Sequence, residues 1–227
     1  MLTAAYAGYA LAQAALATWA FVLWRRKPSA AALTLLLPIA AVVYDNAMVA
    51  LGAAIGPGPA LVALTAPRFW GHALLTPLWT VTGVLFVLRV GTLAGREVVA
   101  RRAVWIAYVA LVVIGVMNSV VLFTPELVTE GGLVYYTNGG GLPGPPTPSI
   151  VMVVVLIASG VVVGRATGWW WMLAGSLFML GAASVPTALV GFVVSNSGEV
   201  VLAASLVATE AFLQRRESFV PVRPSTP

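Results

Sequence analysis

The sequence predicts an all-α polytopic membrane protein, a bundle of seven transmembrane helices with the N-terminus outside and the C-terminus in the cytoplasm. Of 227 residues, 60% are hydrophobic and only 8% are charged, whereas a soluble domain carries about 25% charged residues. Apolar stretches of roughly 20 residues, long enough to cross a hydrocarbon core, recur along the chain. All but one of its 12 basic residues fall in alternate connections or in the C-terminal tail.

The apolar stretches place the spans at 2–24, 30–53, 68–90, 103–123, 149–164, 169–194 and 197–213. Basic residues follow the first stretch rather than precede it, which is the reverse of a cleaved signal peptide, so we expect a retained helix. Residues 1–214 are predicted to form one membrane domain. Residues 215–227 are predicted to be a basic, disordered cytoplasmic tail.

The positive-inside rule sets the orientation, because basic residues accumulate in cytoplasmic loops. With the N-terminus outside, the predicted cytoplasmic basic residues are Arg25, Arg26, Lys27, Arg89, Arg96, Arg101, Arg102, Arg165, Arg215, Arg216 and Arg223. The exception is Arg68, at the outer start of the third span. A topology signal does not explain this arginine, so it is a candidate for a functional role.

The composition also excludes several classes of site. The chain has no cysteine, so disulfides, iron–sulfur clusters and thiolate zinc sites are excluded. His72 is the only histidine, which excludes a multi-histidine metal site, and the only lysine, Lys27, lies in a basic cluster where it cannot hold retinal. The net charge of +5 belongs to topology signals rather than to a nucleic-acid surface. No metal, cofactor or nucleic-acid partner is expected.

One connection, residues 124–148, is unusually long and is predicted to lie outside. It contains Glu126, Glu130, Tyr135 and Tyr136, then a Gly-Gly-Gly run and four prolines. Connections of this length are commonly lids, binding loops or disordered segments. The tyrosine pair favours a loop that folds over something, and a mobile loop is the alternative.

Asp45 is the strongest candidate functional residue, because it lies within the second span. A carboxyl group inside a membrane is costly and is usually paired, hydrogen-bonded or protonated. A protonated carboxyl group is a proton donor, whereas a structural ion pair with a neighbouring helix is the alternative. Its neighbours Tyr44 and Asn46 are candidate binding residues.

Arg68, His72, Thr76 and Trp79 form a stripe on the third span, since spacings of three and four place side chains on one helix face. Antiparallel packing of the second and third spans would bring Asp45 to the depth of His72 and Thr76. An Asp–His or Asp–Arg pair there could be purely structural. Pro77 is expected to kink the helix beside the stripe.

Further polar groups fall at similar outer depths. Glu199 begins the last span, where it could be a site residue or simply complement a helix N-terminus. Glu210 lies further along the same helix, where pairing with Arg215 or Arg216 is the simpler interpretation. Asn118 is either a site residue or a residue that hydrogen-bonds to a neighbouring helix. These groups predict one cavity in the outer half, with aromatic walls from Tyr44, Trp79 and Phe178.

A chain of this length, with an acid in helix two and another in helix seven, resembles the small integral-membrane terpene cyclases of fungal and actinobacterial meroterpenoid pathways. The resemblance rests on Asp45 in Tyr-Asp-Asn and on Glu199 or Glu210. Fungal members have Glu in helix two and Asp in helix seven, the reverse of this chain.

The resemblance implies protonation-driven cyclisation of a membrane-soluble prenylated substrate, without a metal. Asp45 would be the acid, Glu199 its partner and His72 a base or orienting group. Arg68 would hold a polar head group of the substrate or adjust the acidity of Asp45. The arginine-rich composition is typical of a high-GC bacterium, which places the protein in a bacterial plasma membrane. The alternatives are a small-molecule or proton-coupled transporter, or a lipid-modifying enzyme, using the same Asp, His and Arg residues.

Overall fold

The computed structural model describes residues 2–141, 147–186 and 191–219, which are predominantly helical. The helices are α1 Leu2–Arg26, α2 Ala30–Ile55, α3 Pro59–Leu74, α4 Leu78–Arg89, α5 Glu97–Val116, α6 Thr147–Thr167, α7 Trp171–Ala183 and α8 Val193–Phe219. A π-helical turn, Met117–Val121, continues α5. Two strands, β1 Pro125–Glu130 and β2 Leu133–Asn138, form an antiparallel hairpin.

Five helical segments in the described part of the chain are long and apolar enough to cross a membrane: α1, α2, α3 with α4, α5 with its π-helical turn, and α6. Helix α7 is apolar but shorter. Large apolar side chains are exposed on the outer faces of these helices, including Leu11, Ile106 and Trp171. Exposed apolar surface of this extent marks contact with lipid rather than with water. The chain is a membrane-embedded helical protein.

The helices pack as a ring in the order α1, α2, α4, α6, α7 and α8, which closes where α8 contacts α1. Helices α3 and α5 pack against each other outside this ring, with α3 on α2 and α5 on α4. The end of the bundle that carries the hairpin is called here the hairpin end. The opposite end, where α1 and α4 finish at Arg26 and Arg89, is called the basic end.

The third predicted span is longer than the sequence indicated, and it is broken. Helix α3 begins at Pro59, not near 68, so Arg68 lies within the helix rather than at its start. The helix stops at Leu74 and resumes at Leu78 after Pro77, which confirms the predicted kink. Proline lacks an N–H and its ring clashes with the preceding turn, which accounts for the break.

The last two spans were divided wrongly by the sequence analysis. Helix α7 ends at Ala183 rather than continuing to 194, and α8 begins at Val193 and runs to Phe219. The predicted disordered tail therefore starts as ordered helix, and 220–227 lies outside the described residues. Helix α6 is also longer than predicted, at 21 residues.

The connection at 124–148, predicted as a loop that either folds over something or is mobile, contains a β-hairpin. Its turn is Gly131–Gly132, with φ of 54° and 86°, the left-handed conformation that two-residue hairpin turns require. Residues 142–146 of this connection lie outside the described residues. The hairpin packs on α1 and α2 through a buried cluster of Tyr6, Val49, Leu133 and Tyr135.

Gly52 allows the hairpin to dock on α2. A Cβ atom at this position would overlap the backbone carbonyl oxygen of Val134. Thr3 Oγ1 donates to the carbonyl of Gly132 at 3.3 Å, which anchors the turn to α1. The hairpin is thus part of the packed bundle rather than a free surface loop.

A charge cluster joins α1, α4 and α8 at the basic end. Glu210 is fully buried, and it accepts hydrogen bonds from Arg89 and, at 2.7 Å, from Gln214 Nε2. Arg89 Nε also donates to Glu217 at 2.7 Å, and Lys27 pairs with Glu217. The expected pairing of Glu210 with Arg215 or Arg216 is wrong, because Arg89 reaches it from the neighbouring helix.

We expect Gly52→Ala to displace the hairpin and to destabilise the protein by about 1–3 kcal/mol, since the new methyl group meets backbone rather than a side chain that can move. Thermal unfolding in detergent and limited proteolysis of the hairpin measure the two effects. Gly8→Ala is the matched control, because nothing lies within 4 Å of its Cβ position. Equal melting temperatures for the two variants would contradict close docking at Gly52.

Candidate active site

A cavity of about 430 Å³ lies at the hairpin end, between the hairpin and helices α1, α2, α3, α6, α7 and α8. Its ionisable lining residues are Asp45, Arg68, His72 and Glu199. Its aromatic lining residues are Tyr6, Phe69, Tyr135, Tyr136 and Phe192, and its other lining residues include Asn196, Ser149 and Met179. The predicted convergence of polar groups in one cavity is confirmed for these four ionisable residues.

Asp45 lies at the centre of an ion-pair cluster between α2 and α3. Its Oδ1 accepts from Arg68 Nε, and its Oδ2 lies 3.1 Å from His72 Nε2. The Asp45 side chain is 8% exposed and that of Arg68 is 12% exposed, so the pair is shielded from solvent. Because Arg68 and His72 are four residues apart on α3, one helix face presents both donors to the same carboxylate.

Arg68 also connects this cluster to the hairpin. Its Nη1 donates to the backbone carbonyl of Tyr136 at 3.3 Å. The same guanidinium lies 5.9 Å from the ring centroid of Phe69, within cation–π range. The position of β2 over the cavity thus depends on a side chain that is itself held by Asp45.

His72 is the least buried member of the cluster, with a side-chain exposure of 35%. Its Nδ1 lies 3.4 Å from Thr76 Oγ1, a long and therefore weak hydrogen bond. In the neutral tautomer that donates Nε2–H to Asp45, Nδ1 is an acceptor. His72 can therefore exchange a proton at Nδ1 while Asp45 holds the ring.

Glu199 reaches the cavity from α8, on the side opposite α3. Its Oε2 is buried and has no hydrogen-bond partner among the described residues. It interacts electrostatically with His72 and Asp45. Gly198 brings α8 close to α7, since a Cβ there would lie 2.8 Å from Ala182 Cβ. A buried carboxyl oxygen without a partner is costly, and such groups are typical of functional sites.

A row of amides joins α1, α2 and α8 beside the cavity. Asn196 Nδ2 donates to Asn46 Oδ1 at 2.8 Å, and Asn46 Nδ2 donates to Gln13 Oε1 at 2.9 Å. Asn46 and Gln13 are fully buried, and neither lines the cavity. Asn46, predicted as a binding residue, instead positions Asn196, which does line it.

The hairpin contributes two tyrosines to the cavity wall. Tyr135 is buried, and its hydroxyl donates to Glu130 at 3.3 Å. Burial and the adjacent Glu130 carboxylate raise the pKa of Tyr135 to about 12. Tyr135 is therefore an uncharged phenol at neutral pH, and its ring is available as an aromatic wall.

Six predicted binding residues lie outside the cavity lining, namely Asn46, described above, and five others. Trp79 follows the helix break and is only 1% exposed, with its indole donating to the carbonyl of Leu35 in the core. Phe178 is 50% exposed on the outer face of α7. The Tyr44 hydroxyl donates to the backbone carbonyl of Leu64. Thr76 contacts the ion-pair cluster only through His72. The backbone carbonyl of Asn118 accepts from the Asn138 side chain.

The sequence analysis missed the aromatic residues that do line the cavity, namely Tyr6, Phe69 and Phe192, and it missed Asn196. Asn196 precedes Glu199 by one helical turn, so spacing offered a signal for Asn196, whereas Phe69 directly follows Arg68 and adjacent helix positions do not share a face. Tyr6 and Phe192 gave no such signal, because their contribution depends on how α1 and the start of α8 meet the hairpin.

Comparison of the chain with protein-family models and with curated proteins finds no match. No group of three or more histidine, aspartate or glutamate side chains in the described residues is arranged to hold a metal ion. The function must therefore be argued from the chemistry of the cavity itself. It combines an ion-paired carboxylate, a histidine, a carboxyl group with a free oxygen and several aromatic rings.

Asp45→Asn is expected to destabilise the protein by about 3–5 kcal/mol, because it leaves the buried Arg68 guanidinium without its counter-charge. Thermal unfolding in detergent measures the effect. Glu126→Gln, the same carboxyl-to-amide change on the exposed hairpin face, serves as the control and should leave stability unchanged. An unchanged melting temperature in Asp45→Asn would show that the pair contributes nothing to folding.

Proposed function

We propose that this protein is an integral-membrane terpene cyclase that protonates a lipophilic prenylated substrate and cyclises it through carbocations. The observation that carries the proposal is Glu199, whose buried Oε2 has no hydrogen-bond partner in the described part of the chain and belongs to an aromatic-lined cavity. A carboxyl group kept out of water and free of partners is suited to donate a proton to an apolar substrate. The cavity lies in an apolar helix bundle, and lipophilic substrates dissolve in the lipid around such a bundle.

Glu199, rather than Asp45, is the better candidate for the proton donor. Both oxygens of Asp45 are engaged, one by Arg68 and the other by His72. Glu199 Oε2 has no partner among the described residues and can approach a substrate. This assignment exchanges the roles expected from the sequence, in which Asp45 was the acid and Glu199 its partner.

The proposed reaction begins when Glu199 transfers its carboxyl proton to an alkene carbon or an epoxide oxygen. The π electrons of the prenyl chain then form carbon–carbon bonds, and the positive charge moves to a ring carbon. The faces of Tyr6, Phe69, Tyr135 and Phe192 stabilise that charge through cation–π attraction. The ionised Glu199 and Asp45 carboxylates add electrostatic stabilisation.

The cascade ends with the loss of a proton from a carbon next to the cation, which leaves an alkene. His72 is the proposed base, acting in the neutral tautomer that donates Nε2–H to Asp45 and has Nδ1 as an acceptor. The proton then returns to Glu199 for the next cycle. One proton enters and one leaves, so substrate and product are isomers of equal mass.

Transport through the same cavity is a weaker proposal, because of the packing between the cavity and the basic end. Trp79, Phe86, Leu35, Leu202 and Leu206 are all fully or almost fully buried there and belong to one core cluster. A transporter needs a path to both sides of the membrane. Packing this dense on one side favours a cavity that opens to the hairpin end or to lipid.

The proposal includes seven membrane crossings, the two beyond the five apolar segments being α7 and α8. These two helices pack along each other and close the ring against α6 and α1. The basic end would face the cytoplasm of a bacterium and the hairpin end the outside, since arginine and lysine concentrate at the basic end. The cavity would then lie in the outer half of the membrane.

Glu199→Gln is expected to reduce cyclisation by at least 100-fold, because the amide has a similar shape but cannot donate a carboxyl proton. Its melting temperature should be unchanged or higher, since Glu199 Oε2 makes no hydrogen bond to any described residue that the variant would lose. The assay supplies prenylated indoles, phenols and their epoxides to membranes and detects isomers of unchanged mass by mass spectrometry and NMR.

Glu210→Gln is the matched control, because Glu210 is a second buried glutamate on α8 but binds Arg89 at the basic end. We expect this variant to lose stability while its folded fraction retains turnover. Equal turnover by Glu199→Gln and wild type would reject Glu199 as the donor. The absence of an isomeric product from the whole panel, with folded wild-type protein, would reject the cyclase proposal.

The proposed orientation can be tested with single cysteines, since the natural chain has none. Thr129→Cys on the hairpin should react with a membrane-impermeant maleimide in intact cells, and Ala94→Cys at the basic end should react only after the cells are opened. Both positions are exposed, so their reactivity depends on membrane side rather than burial. The reverse labelling pattern would invert the topology.

A further inference from the structure

An open groove on the outer face of α5, close to the basic end, plays no part in the chemistry proposed above. It encloses about 470 Å³ and is lined by Val98, Arg101, Arg102, Trp105 and Ile106. All five residues are exposed. We propose that this groove binds an anionic phospholipid, with the phosphate on Arg101 and Arg102 and an acyl chain along the apolar face beyond them.

The two arginines lack a counter-charge within the part of the chain that the structure describes. The basic partner in every ion pair among the described residues is Lys27, Arg68, His72 or Arg89, not Arg101 or Arg102. Glu97 lies one turn before Arg101, but its carboxylate accepts from the backbone N–H of Gly95 at 3.2 Å. Two adjacent unpaired guanidinium groups favour an anion, and guanidinium groups bind phosphate oxygens well.

Apolar side chains surround these two charges on the same helix. Ile106 is 71% exposed, and Val109 and Val113 continue the exposed apolar stripe towards the middle of the bundle. A free phosphate ion or a soluble anion would leave this stripe uncovered. A phospholipid fits both features of the groove. Its anionic head group would lie on the two arginines, and the acyl chains attached to that head group would lie along the apolar stripe.

Trp105 gives the groove a fixed wall. Its ring meets that of Tyr108 edge to face, with centroids 5.4 Å apart. Tyr108 is held in turn, since its hydroxyl donates to the carbonyl of Leu74 at 3.0 Å. Tryptophan is favoured at the level of lipid head groups, where its ring is apolar and its N–H can meet water.

The test is native mass spectrometry of the full chain in detergent, with phosphatidylglycerol or phosphatidylcholine added. Wild type should retain phosphatidylglycerol in preference to phosphatidylcholine. The double variant R101Q/R102Q should bind phosphatidylglycerol roughly 30-fold more weakly. The double variant R101K/R102K keeps the charges and should lose much less.

The matched control is R215Q/R216Q, which removes two exposed arginines at the same end of the bundle, on α8. We expect it to bind phosphatidylglycerol as wild type does. Equal weakening in both glutamine variants would mean that general charge attraction, not a site, holds the lipid. Equal retention of phosphatidylcholine by wild type would likewise overturn the proposal.

A second measurement needs no arginine variant. In nanodiscs, brominated phosphatidylglycerol should quench the fluorescence of Trp105. That fluorescence is measured by subtracting the signal of Trp105→Phe from the signal of wild type. Brominated phosphatidylcholine should quench it much less. Equal quenching by the two lipids would show that the groove contacts bulk lipid only.

Discussion

The burial of Asp45 is the constraint on which the hairpin end of this protein depends. A carboxylate within an apolar bundle is tolerated when its charge is paired and its oxygens are hydrogen-bonded. Arg68 and His72 meet both conditions from one face of α3, which fixes α3 against α2. Arg68 then reaches the carbonyl of Tyr136, so the same ion pair helps to position the hairpin over the cavity.

A second charge cluster lies at the opposite end, and the hydrophobic core separates the two. Arg89, Glu210 and Glu217 join α4 to α8, and Lys27 brings in α1. This second cluster has its charges mutually paired, which is typical of a structural role. Among the described residues, buried charge therefore lies at the two ends: the Asp45 cluster joins α2, α3 and the hairpin, and the Glu210 cluster joins α4 to α8.

Glu199 differs from both clusters because its buried Oε2 has no hydrogen-bond partner within residues 2–141, 147–186 and 191–219. Folding alone offers no reason for such a group, since a glutamine or an apolar residue would avoid the cost of desolvating a carboxyl group. Asp45 and Glu199 thus have different environments within one cavity, because Arg68 and His72 hold Asp45 whereas Glu199 Oε2 has no hydrogen-bond partner among the described residues. Two carboxyl groups in contrasting environments are the usual basis for dividing acid and base roles.

The sequence by itself determined the helical class, most helix positions, the break at Pro77 and the placement of Arg68 and His72 on one helix face. Local patterns decide these features, because apolar length predicts spans and a spacing of four residues places donors on one face. Only the tertiary structure decided that Glu199 joins the cavity while Glu210 binds Arg89, that Phe178 points outward and that 125–138 forms a docked hairpin. Those outcomes depend on the rotation of each helix relative to its neighbours, which apolar residues on nearly every face of a membrane helix do not specify.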